Sequence, residues 1–302
     1  MGQLLERLPK GSRVAVIRLR SLGDCVLTTP ALALLKAHRP DLEIAVVVED
    51  RFRDVFEGNP DIAKLLPPEP AVLRGFRPQL ALNFHGGTRS MWLTTFSGAT
   101  IKAGFAHHVY SFLYNQRIPR AQRTLGAERR VHTAEHLASA MFWMGVPRTE
   151  IPRAKLFAEP LATAPGGSYA VLHPFASAPD KAWPEQRFIE VARQLRQSGM
   201  EPVILAGPAD NTALFSEFRV SGSLQEAKSL IAGAQLFLGN DSGPAHMAAA
   251  FGVPVVVLFG PSDPVTWAPW RTESQVLTAP AGMLEITVAQ VNAAAELLRV
   301  KA

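Results

Sequence analysis

The sequence lacks several features that would assign it to particular protein classes. Its 302 residues include a single cysteine, Cys25, which excludes an internal disulfide framework and a metal site built from several cysteines. No apolar run reaches the roughly 18 residues of a membrane span, because the longest, residues 247–259, is interrupted by Gly252 and Pro254. The first residues do not show the charged, apolar and small-residue succession of a secretory signal. We therefore expect a soluble protein in the reducing environment of the cytoplasm.

Three common nucleotide and hydrolase motifs are missing as well. No G-x-G-x-x-G follows the first predicted strand of either half of the chain, and no G-x-x-x-x-G-K-[ST] phosphate loop occurs. Ser242 lacks the G-x-S-x-G spacing of a nucleophile elbow. The chain therefore lacks the fingerprints of the dinucleotide-dependent dehydrogenases, the P-loop nucleotidases and the α/β-hydrolases.

The composition is that of a globular protein with a mild basic excess. Apolar residues make up 47% of the chain and charged residues 19%, so a large core can be buried. The 31 basic and 26 acidic residues give a formal net charge of +5. This balance suits an anionic partner such as a phosphorylated small molecule, an acidic membrane surface or nucleic acid. No basic tail or repeat supports nucleic acid in particular.

Short apolar runs alternate with amphipathic segments, as they do in parallel α/β sheets. In the first half, strands are predicted at residues 13–18, 42–48, 80–84 and 101–105, and helices at 26–38, 51–57, 88–97 and 133–144. In the second half, strands are predicted at 169–173, 202–206, 236–239 and 254–259, and helices at 185–197, 223–232, 244–251 and 287–299.

A segment rich in proline, glycine and alanine, residues 159–167, interrupts this alternation and is typical of an interdomain linker. We therefore expect two doubly wound α/β domains, residues 1–160 and 161–302, that face a central cleft. In such domains ligands bind beyond the carboxyl ends of the strands, so the loops between strands and helices are the places to look for a site.

The loop after the first predicted strand carries a carboxylate directly after a glycine. Residues 18–24 read R-L-R-S-L-G-D, and a helix is predicted to begin between Asp24 and Pro30. Asp24 is either a helix N-cap, a position that favours Asp, or a general base that faces the cleft. Cys25 has no histidine close to it in the sequence, so we expect it to face the core.

In the second half, residues 239–246 (G-N-D-S-G-P-A-H) join an apolar strand to an alanine-rich helix. Ser242 and Pro244 are typical helix-start residues, so the segment is either an ordinary capped turn or a phosphate site that uses the N–H groups of the helix start. Lys181, in the loop after the first strand of this half, is either a surface lysine or a phosphate contact. Residues 260–264 add another polar loop at the same edge of the sheet.

Two further patterns lie outside these loops. Residues 132–136 match H-x-x-E-H, in which two histidines share one helix face and are able to bind zinc. No third ligand is evident downstream, so we expect a chance match and predict no metal site. A basic run is either a solvated surface or a contact for a phosphorylated or carboxylated acceptor; it comprises Arg117, Arg120, Arg123, Arg129 and Arg130.

Taken together, these segments resemble the ADP-heptose:lipopolysaccharide heptosyltransferases, inverting GT-B enzymes of glycosyltransferase family 9. The resemblance runs through nearly the whole chain. It is carried by R-x-R-S-L-G-D at 18–24, T-T-P-A-L at 28–32, G-G-T-R-S at 86–90, S-G-A-T-I-K-A-G-F at 97–105, D-K-A-W-P-E-Q-R-F at 180–188, G-N-D-S-G-P-A-H at 239–246 and F-G-P-S-D-P at 259–264. It implies a GT-B fold in which residues 1–160 bind the acceptor and residues 161–302 bind the nucleotide sugar.

The resemblance also implies roles for individual residues. Asp24 would be the catalytic base, and Lys181 would stabilise the departing ADP. The implied donor-binding residues are Ser177, Lys181, Asp210, Asp241, Ser242, Gly243 and His246, and the implied acceptor-binding residues are Arg20, Arg89, Arg117 and Arg120. The implied substrates are ADP-heptose and an inner-core lipopolysaccharide acceptor at the inner face of the cytoplasmic membrane, with no metal, no other cofactor and no nucleic acid.

The sequence departs from the family's pattern in three places. Residues 267–283 are short and hold no cysteine, residues 175–177 (F-A-S) replace a glycine- or threonine-rich stretch, and residues 83–86 (N-F-H-G) stand where an acidic residue or glutamine is common. These departures leave the fold and the reaction class intact, but a different nucleotide sugar or a different acceptor, including a protein acceptor, stays open. A sugar-nucleotide-binding protein without catalysis is a further alternative from another class.

Overall fold

The computed structural model describes residues 3–279 and 282–300. The chain forms two compact units, Met1–Phe157 and Ala158–Ala302, so the division falls just before the predicted boundary at residue 160. Each unit contains one six-stranded sheet in which every pair of neighbouring strands is parallel.

The first unit is built on a sheet with the order β3-β2-β1-β4-β5-β6. Its strands are β1 (Arg13–Ile17), β2 (Glu43–Val47), β3 (Lys64–Leu66), β4 (Leu80–Asn83), β5 (Ile101–Phe105) and β6 (Gln116–Ile118). Its helices are α1 (Leu22–His38), α2 (Pro70–Phe76), α3 (Thr88–Thr95), α4 (Ala121–Leu125) and α5 (Thr133–Met144).

The second unit repeats this strand order, as β9-β8-β7-β10-β11-β12. Its strands are β7 (Tyr169–His173), β8 (Glu201–Leu205), β9 (Arg219–Ser221), β10 (Leu236–Asn240), β11 (Val255–Phe259) and β12 (Ser274–Thr278). Its helices are α6 (Glu185–Gln197), α7 (Leu224–Gly233), α8 (Gly243–Phe251), α9 (Pro264–Trp267) and α10 (Val288–Arg299).

The central strands form because their side chains are apolar on both faces, and helices cover both faces of such a sheet. Every residue of β4, β10 and β11 is buried, as are four of the five residues of β1 and β2. In the second unit, α6 and α10 pack their apolar sides on this sheet around the fully buried Trp183. The indole N–H of Trp183 donates to the carbonyl of Ile286 at 2.8 Å, which satisfies its one polar atom inside the core.

Both sheets reverse their strand order at one point, between β1 and β4 and between β7 and β10. The loops that leave such a strand pair diverge to opposite faces of the sheet and open a crevice where ligands bind in folds of this class. In the first unit, these loops carry Asp24 and residues 84–88. In the second unit, they carry Lys181 and residues 241–243. The topology therefore places the main predicted site residues beside the two crevices.

The predicted fold class, two doubly wound Rossmann-like domains, is confirmed, and several predicted elements need correction. The segment predicted as a helix at 51–57 is a 3-10 helix at Asp50–Val55, and α1 begins at Leu22, before the predicted range of starts. The strands β3, β6, β9 and β12 and the helices α2, α4 and α9 were not predicted.

The segment 267–283, which departs from the family's pattern, contains β12, and its residues 280 and 281 lie outside the described residues. Within residues 3–279 and 282–300, none of the helices combines the length and the apolar character needed to cross a bilayer.

Candidate active site

Asp24 lies in the first turn of α1, and two donors hold its carboxylate. The N-cap of α1 is Ser21, so Asp24 is not the cap but the third residue of the helix. The hydroxyl of Ser21 donates to Oδ2 of Asp24 at 3.1 Å, and Nη1 of Arg18 lies 3.3 Å from Oδ1. The Asp24 side chain remains 26% exposed. A general base requires a carboxylate that is held in place and accessible.

Arg18 is the buried partner of this carboxylate. It follows β1 directly, and its side chain is only 6% exposed. A buried guanidinium needs a compensating anion, and Asp24 supplies one. Its Nε is buried and makes no hydrogen bond within the described part of the chain. In the sequence, Arg18 stands directly after an apolar strand, inside R-x-R-S-L-G-D. It was named only as part of that motif, and no role of its own was predicted for it.

Asn83 shapes the loop on the other side of the first crevice. Its side-chain carbonyl accepts hydrogen bonds from the backbone N–H groups of His85 and Gly86, and its amide donates to the Tyr114 hydroxyl at 3.0 Å. The loop thereby turns sharply and brings Nδ1 of His85 to 3.2 Å from the carbonyl oxygen of Arg20. Residues 83–86 (N-F-H-G), which depart from the family's pattern, thus lie beside the loop that leads into α1. The sequence did not predict this position.

Three further histidines surround Phe105 at the end of β5. The ring of His136 stacks on Phe105 with 4.1 Å between centroids, and His107 lies 5.2 Å from His136 and 5.1 Å from His108. A Cβ at position 86 would stand only 2.7 Å from the His108 ring. Glycine at this position therefore leaves room for the ring. The Nδ1 atom of His108 is buried and makes no hydrogen bond to any described residue.

These histidines are neutral at neutral pH. Burial lowers the pKa of His108 to about 4, and the nearby charges of Arg18 and of the other histidines act in the same direction. Burial likewise lowers the pKa of His136 to about 4, with Arg18 and Arg120 contributing. The cluster therefore offers uncharged donors and acceptors next to two arginines.

The H-x-x-E-H pattern at residues 132–136 is a helix start. The ring of His132, the N-cap of α5, accepts from the N–H of Ala134, and Glu135 accepts from the N–H of His132. Glu135 also pairs with Arg129. Among residues 3–279 and 282–300, no group of three or more His, Cys, Asp or Glu side chains is placed to hold a metal ion. Of the two histidines that the zinc pattern requires, His132 is engaged in capping and His136 stacks on Phe105.

The structure separates the four predicted acceptor arginines. Arg20 adjoins His85, and Arg120 is close enough to His107 and His136 to lower their pKa values. Arg89 instead contacts Glu49 and the Pro68 carbonyl. Arg117, on the edge strand β6, donates to the carbonyl of Phe112. Arg20 is thus beside His85, and Arg120 is beside two of the histidines around Phe105. Cys25 is fully buried, as expected, and burial raises its pKa to about 12.

In the second unit, Lys181 meets the start of α8. It ends a 3-10 helix at Pro179–Lys181, and its Nζ lies 3.5 Å from Oδ2 of Asp241. The residue that permits this approach is Gly260, because a Cβ there would stand 2.6 Å from the carbonyl oxygen of Asp180. Two distant loops of the sequence are therefore in contact at the second crevice.

Asn240 holds this arrangement together and was not singled out from the sequence. It is fully buried at the end of β10. Its side-chain carbonyl accepts from the N–H of Trp183 at 3.1 Å, and its amide donates to the carbonyl of Pro174 at 2.7 Å. It thereby ties both ends of the loop that carries Lys181 to the strand that precedes α8.

The start of α8 leaves its N–H groups without a side-chain cap. Its N-cap residue, Ser242, directs its hydroxyl to Nδ1 of His173, 3.1 Å away, and makes no capping hydrogen bond. The first N–H groups of a helix have no partner inside the helix and attract anions. Gly243 is the first residue of α8, and the buried ring of His246 lies one turn later, with its centroid 6.3 Å from that of Trp267.

The remaining predicted donor residues lie on neighbouring loops. Ser177 is exposed in the loop after β7. Asp210 lies after β8, where its carboxylate accepts from the N–H of Gly207 at 2.6 Å. Asp210 also acts electrostatically on His173, whose pKa burial lowers to about 4. Both residues are therefore at the carboxyl edge of the second sheet, with Lys181 and Asp241.

The chain is similar to known glycosyltransferases in sequence and in fold. The model of glycosyltransferase family 9 (heptosyltransferase) matches residues 72–290. Lipopolysaccharide heptosyltransferase 3 of Escherichia coli is 27% identical over 293 residues, covering 83% of this chain and 84% of that protein. A family 9 glycosyl transferase from Veillonella parvula superposes with a TM-score of 0.84 at 22% identity, covering 96% of this chain and 98% of that one.

The E. coli heptosyltransferase WaaC, solved with ADP, superposes with a TM-score of 0.76 at 21% identity, covering 96% of this chain and 100% of that one. The family model matches more than half of the sequence, and the two solved structures superpose on 96% of the chain. The chain therefore belongs to glycosyltransferase family 9, the heptosyltransferase family, and is a glycosyltransferase.

Proposed function

We propose that this enzyme transfers a heptose from ADP-heptose to an acceptor in the inner core of lipopolysaccharide, with inversion at the anomeric carbon. The observation that carries the proposal is the matched pair of crevices, one beside a fixed carboxylate and the other beside a lysine and an uncapped helix start. The names of the relatives and the ADP in the WaaC structure support this donor and acceptor.

In this proposal, Asp24 removes the proton of the acceptor hydroxyl as that oxygen attacks the anomeric carbon. Arg18 and Ser21 keep the carboxylate in one orientation, which avoids reorganisation during the reaction. A single displacement from the face opposite ADP inverts the anomeric configuration. The neutral histidines, together with Arg20 and Arg120, provide hydrogen bonds and positive charge for an anionic acceptor sugar next to this base.

The leaving group is stabilised in the second unit. As the glycosidic bond breaks, negative charge accumulates on the diphosphate of ADP. Lys181 and the first N–H groups of α8 supply fixed positive charge and donors for it. We propose that Asp241 holds Lys181 in place, while Ser177, Asp210 and His246 line the donor site around it. Because protein groups supply this charge, we expect turnover to persist after dialysis against EDTA.

Titration calorimetry with ADP, UDP and GDP, without added metal, tests the donor. We expect ADP to bind more tightly than the other two. A preference for UDP would retain the transferase fold and assign a different nucleotide sugar. ADP binding without turnover on any core or protein acceptor would support a binding protein without catalysis.

The substitution Asp24→Asn tests the base. An amide cannot accept the hydroxyl proton, so we expect kcat to fall by about 10²- to 10⁴-fold while the affinity for ADP stays unchanged. The exposed Asp50, elsewhere in the first unit, provides the matched control Asp50→Asn, which should keep wild-type turnover. Full turnover by the Asp24→Asn variant would remove Asp24 from the mechanism.

A further inference from the structure

We propose that one surface of the first unit docks on an anionic lipid bilayer. This surface, called here the docking surface, consists of the exposed side of α3 and the segment 106–115 that follows β5. This proposal rests on the proposed function in one respect, because an acceptor in lipopolysaccharide is lipid-linked and would be found at a membrane. Its own basis is a set of exposed apolar side chains and an unusual distribution of charge.

The apolar part of the docking surface is large and exposed. Trp92 and Phe96 are each 49% exposed, and their rings stack with 5.3 Å between centroids and an angle of 6°. In the neighbouring segment, Val109 is 79% exposed and Phe112 is 64% exposed. A soluble protein surface rarely presents so many large apolar side chains together unless they contact a partner or a membrane.

The two parts of the docking surface are connected. The hydroxyl of Thr88, at the start of α3, lies 3.2 Å from the hydroxyl of Tyr110 in the segment 106–115. Thr88, Trp92 and Phe96 are spaced four residues apart, which places them along one side of the helix. A groove of about 440 Å³ beside Trp92 extends the apolar area; it is lined by Pro68, Pro70, Thr88, Arg89, Trp92 and Leu93.

The stretch of sequence that forms this surface carries charge of one sign. Residues 70–127 contain no Asp or Glu, although the chain has 26 acidic residues among 302. The same stretch contains seven basic residues, namely Arg74, Arg77, Arg89, Lys102, Arg117, Arg120 and Arg123. Arg89 follows Thr88 directly, and the guanidinium of Arg117 donates to the carbonyl of Phe112, so basic groups adjoin the apolar side chains. The carboxylates close to Arg89, those of Glu49, Asp50 and Glu69, come from outside the acid-free stretch, and Glu49 pairs with Arg89.

Exposed aromatic side chains next to arginines suit the interface of an anionic bilayer. Aromatic rings partition into the region between headgroups and acyl chains, and basic side chains are attracted to anionic headgroups. The docking surface also follows β4 and β5, whose carboxyl ends lie at the same sheet edge as the end of β1, from which the Asp24 loop departs. An acceptor anchored in the bilayer would therefore present its sugar at the edge that carries the proposed base.

Co-sedimentation with vesicles tests this proposal directly. We expect the wild-type protein to bind vesicles of phosphatidylglycerol and phosphatidylethanolamine, to bind phosphatidylcholine vesicles weakly, and to dissociate as the salt concentration rises. The double substitution Trp92→Ser and Phe112→Ser should weaken binding by about tenfold or more. The matched control replaces Leu214 and Leu297, exposed apolar residues of the second unit, with Ser and should bind like wild type.

Turnover measurements separate docking from catalysis. With a deacylated, water-soluble acceptor, the Trp92→Ser/Phe112→Ser variant should match wild type, whereas with the acceptor embedded in vesicles it should be slower. Vesicle binding without turnover on any acceptor would leave the docking surface intact and refute the proposed function.

Four results would overturn the docking proposal. The first two are the absence of wild-type binding to anionic vesicles and undiminished vesicle binding by the variant. The third is a loss of the variant's turnover that is as large on the soluble acceptor as on the embedded one, which would make the surface an acceptor subsite. The fourth is a wild-type dimer that becomes monomeric in the variant, which would assign the surface to a second copy of the chain.

Discussion

At the scale of single residues, buried histidines make the stability of the fold depend on pH. The pKa of His108, His136 and His173 is about 4 in the folded protein, because burial disfavours their charged form. In the unfolded chain these rings have an ordinary pKa near 6.5. Between about pH 6.5 and pH 4 the unfolded chain therefore binds more protons than the folded one. The free energy of unfolding should decrease as the pH falls through this window and level off below it.

Replacing His136 with Gln tests this dependence. The substitution removes one of the histidines whose pKa is lowered in the fold, so the free energy of unfolding should change less steeply between pH 6.5 and pH 4, by about one proton in the slope. Urea denaturation at several pH values measures the slope. His38→Gln, at the end of α1 and away from both histidine sites, should behave like wild type. A slope unchanged by His136→Gln would contradict the depressed pKa of that ring.

At the scale of secondary-structure elements, the end of β11 determines where Lys181 lies. A Cβ at Gly260 would stand 2.6 Å from the carbonyl oxygen of Asp180 and 3.5 Å from the Cα of Lys181. Gly260→Ala should therefore displace the 3-10 helix at Pro179–Lys181 and separate Lys181 from the start of α8. We expect the affinity for ADP to fall by about tenfold, with a loss of stability of about 1–3 kcal/mol.

Calorimetric titration with ADP and urea denaturation measure the two effects of Gly260→Ala. The control is Gly166→Ala, because a Cβ at Gly166 meets no atom within 4 Å and its φ angle lies outside the left-handed region. Wild-type ADP affinity in a folded Gly260→Ala protein would show that the position of Lys181 does not govern donor binding.

The strands that the sequence did not predict share one position in the fold. β3, β6, β9 and β12 are the four outermost strands of the two sheets. Three of them have only three residues, and each has at least one exposed residue. A strand at a sheet edge needs neither a long apolar run nor burial on both faces. Its hydrophobic signal is therefore weak, and only pairing with a distant neighbour defines it.

At the scale of the whole molecule, we expect ADP to act on the second unit. Amide hydrogen exchange with saturating ADP should slow in residues 174–184 and 241–246, the two loops that meet at Lys181 and Asp241. Exchange in the first unit around residues 18–25 should not change. The same ligand should raise the free energy of unfolding by about 2.7 kcal/mol at a hundredfold excess over Kd. Protection centred on residues 18–25 would instead assign the nucleotide to the first unit.

Local sequence patterns were enough to define the interior of both units and the loops that carry the main candidate residues. β5, β7, α5 and α6 have the predicted bounds, because an apolar run or an amphipathic repeat depends on neighbouring residues alone. Asp24 and Lys181 were candidates because they lie after predicted strands, and the resemblance to glycosyltransferase family 9 implied their roles.

Which side chains come into contact depends on the three-dimensional fold and could not be predicted from local patterns. Asn240 bonds to Pro174 and Trp183, residues far from it in the sequence, and the histidines around Phe105 come from the segment that follows β5 and from α5. The same holds for Arg20 and Arg120, which join the histidines, while Arg89 and Arg117 contact other groups. The physical reason is that local propensity and periodicity act over a few residues, whereas the site is formed by contacts that exist only after each sheet has assembled.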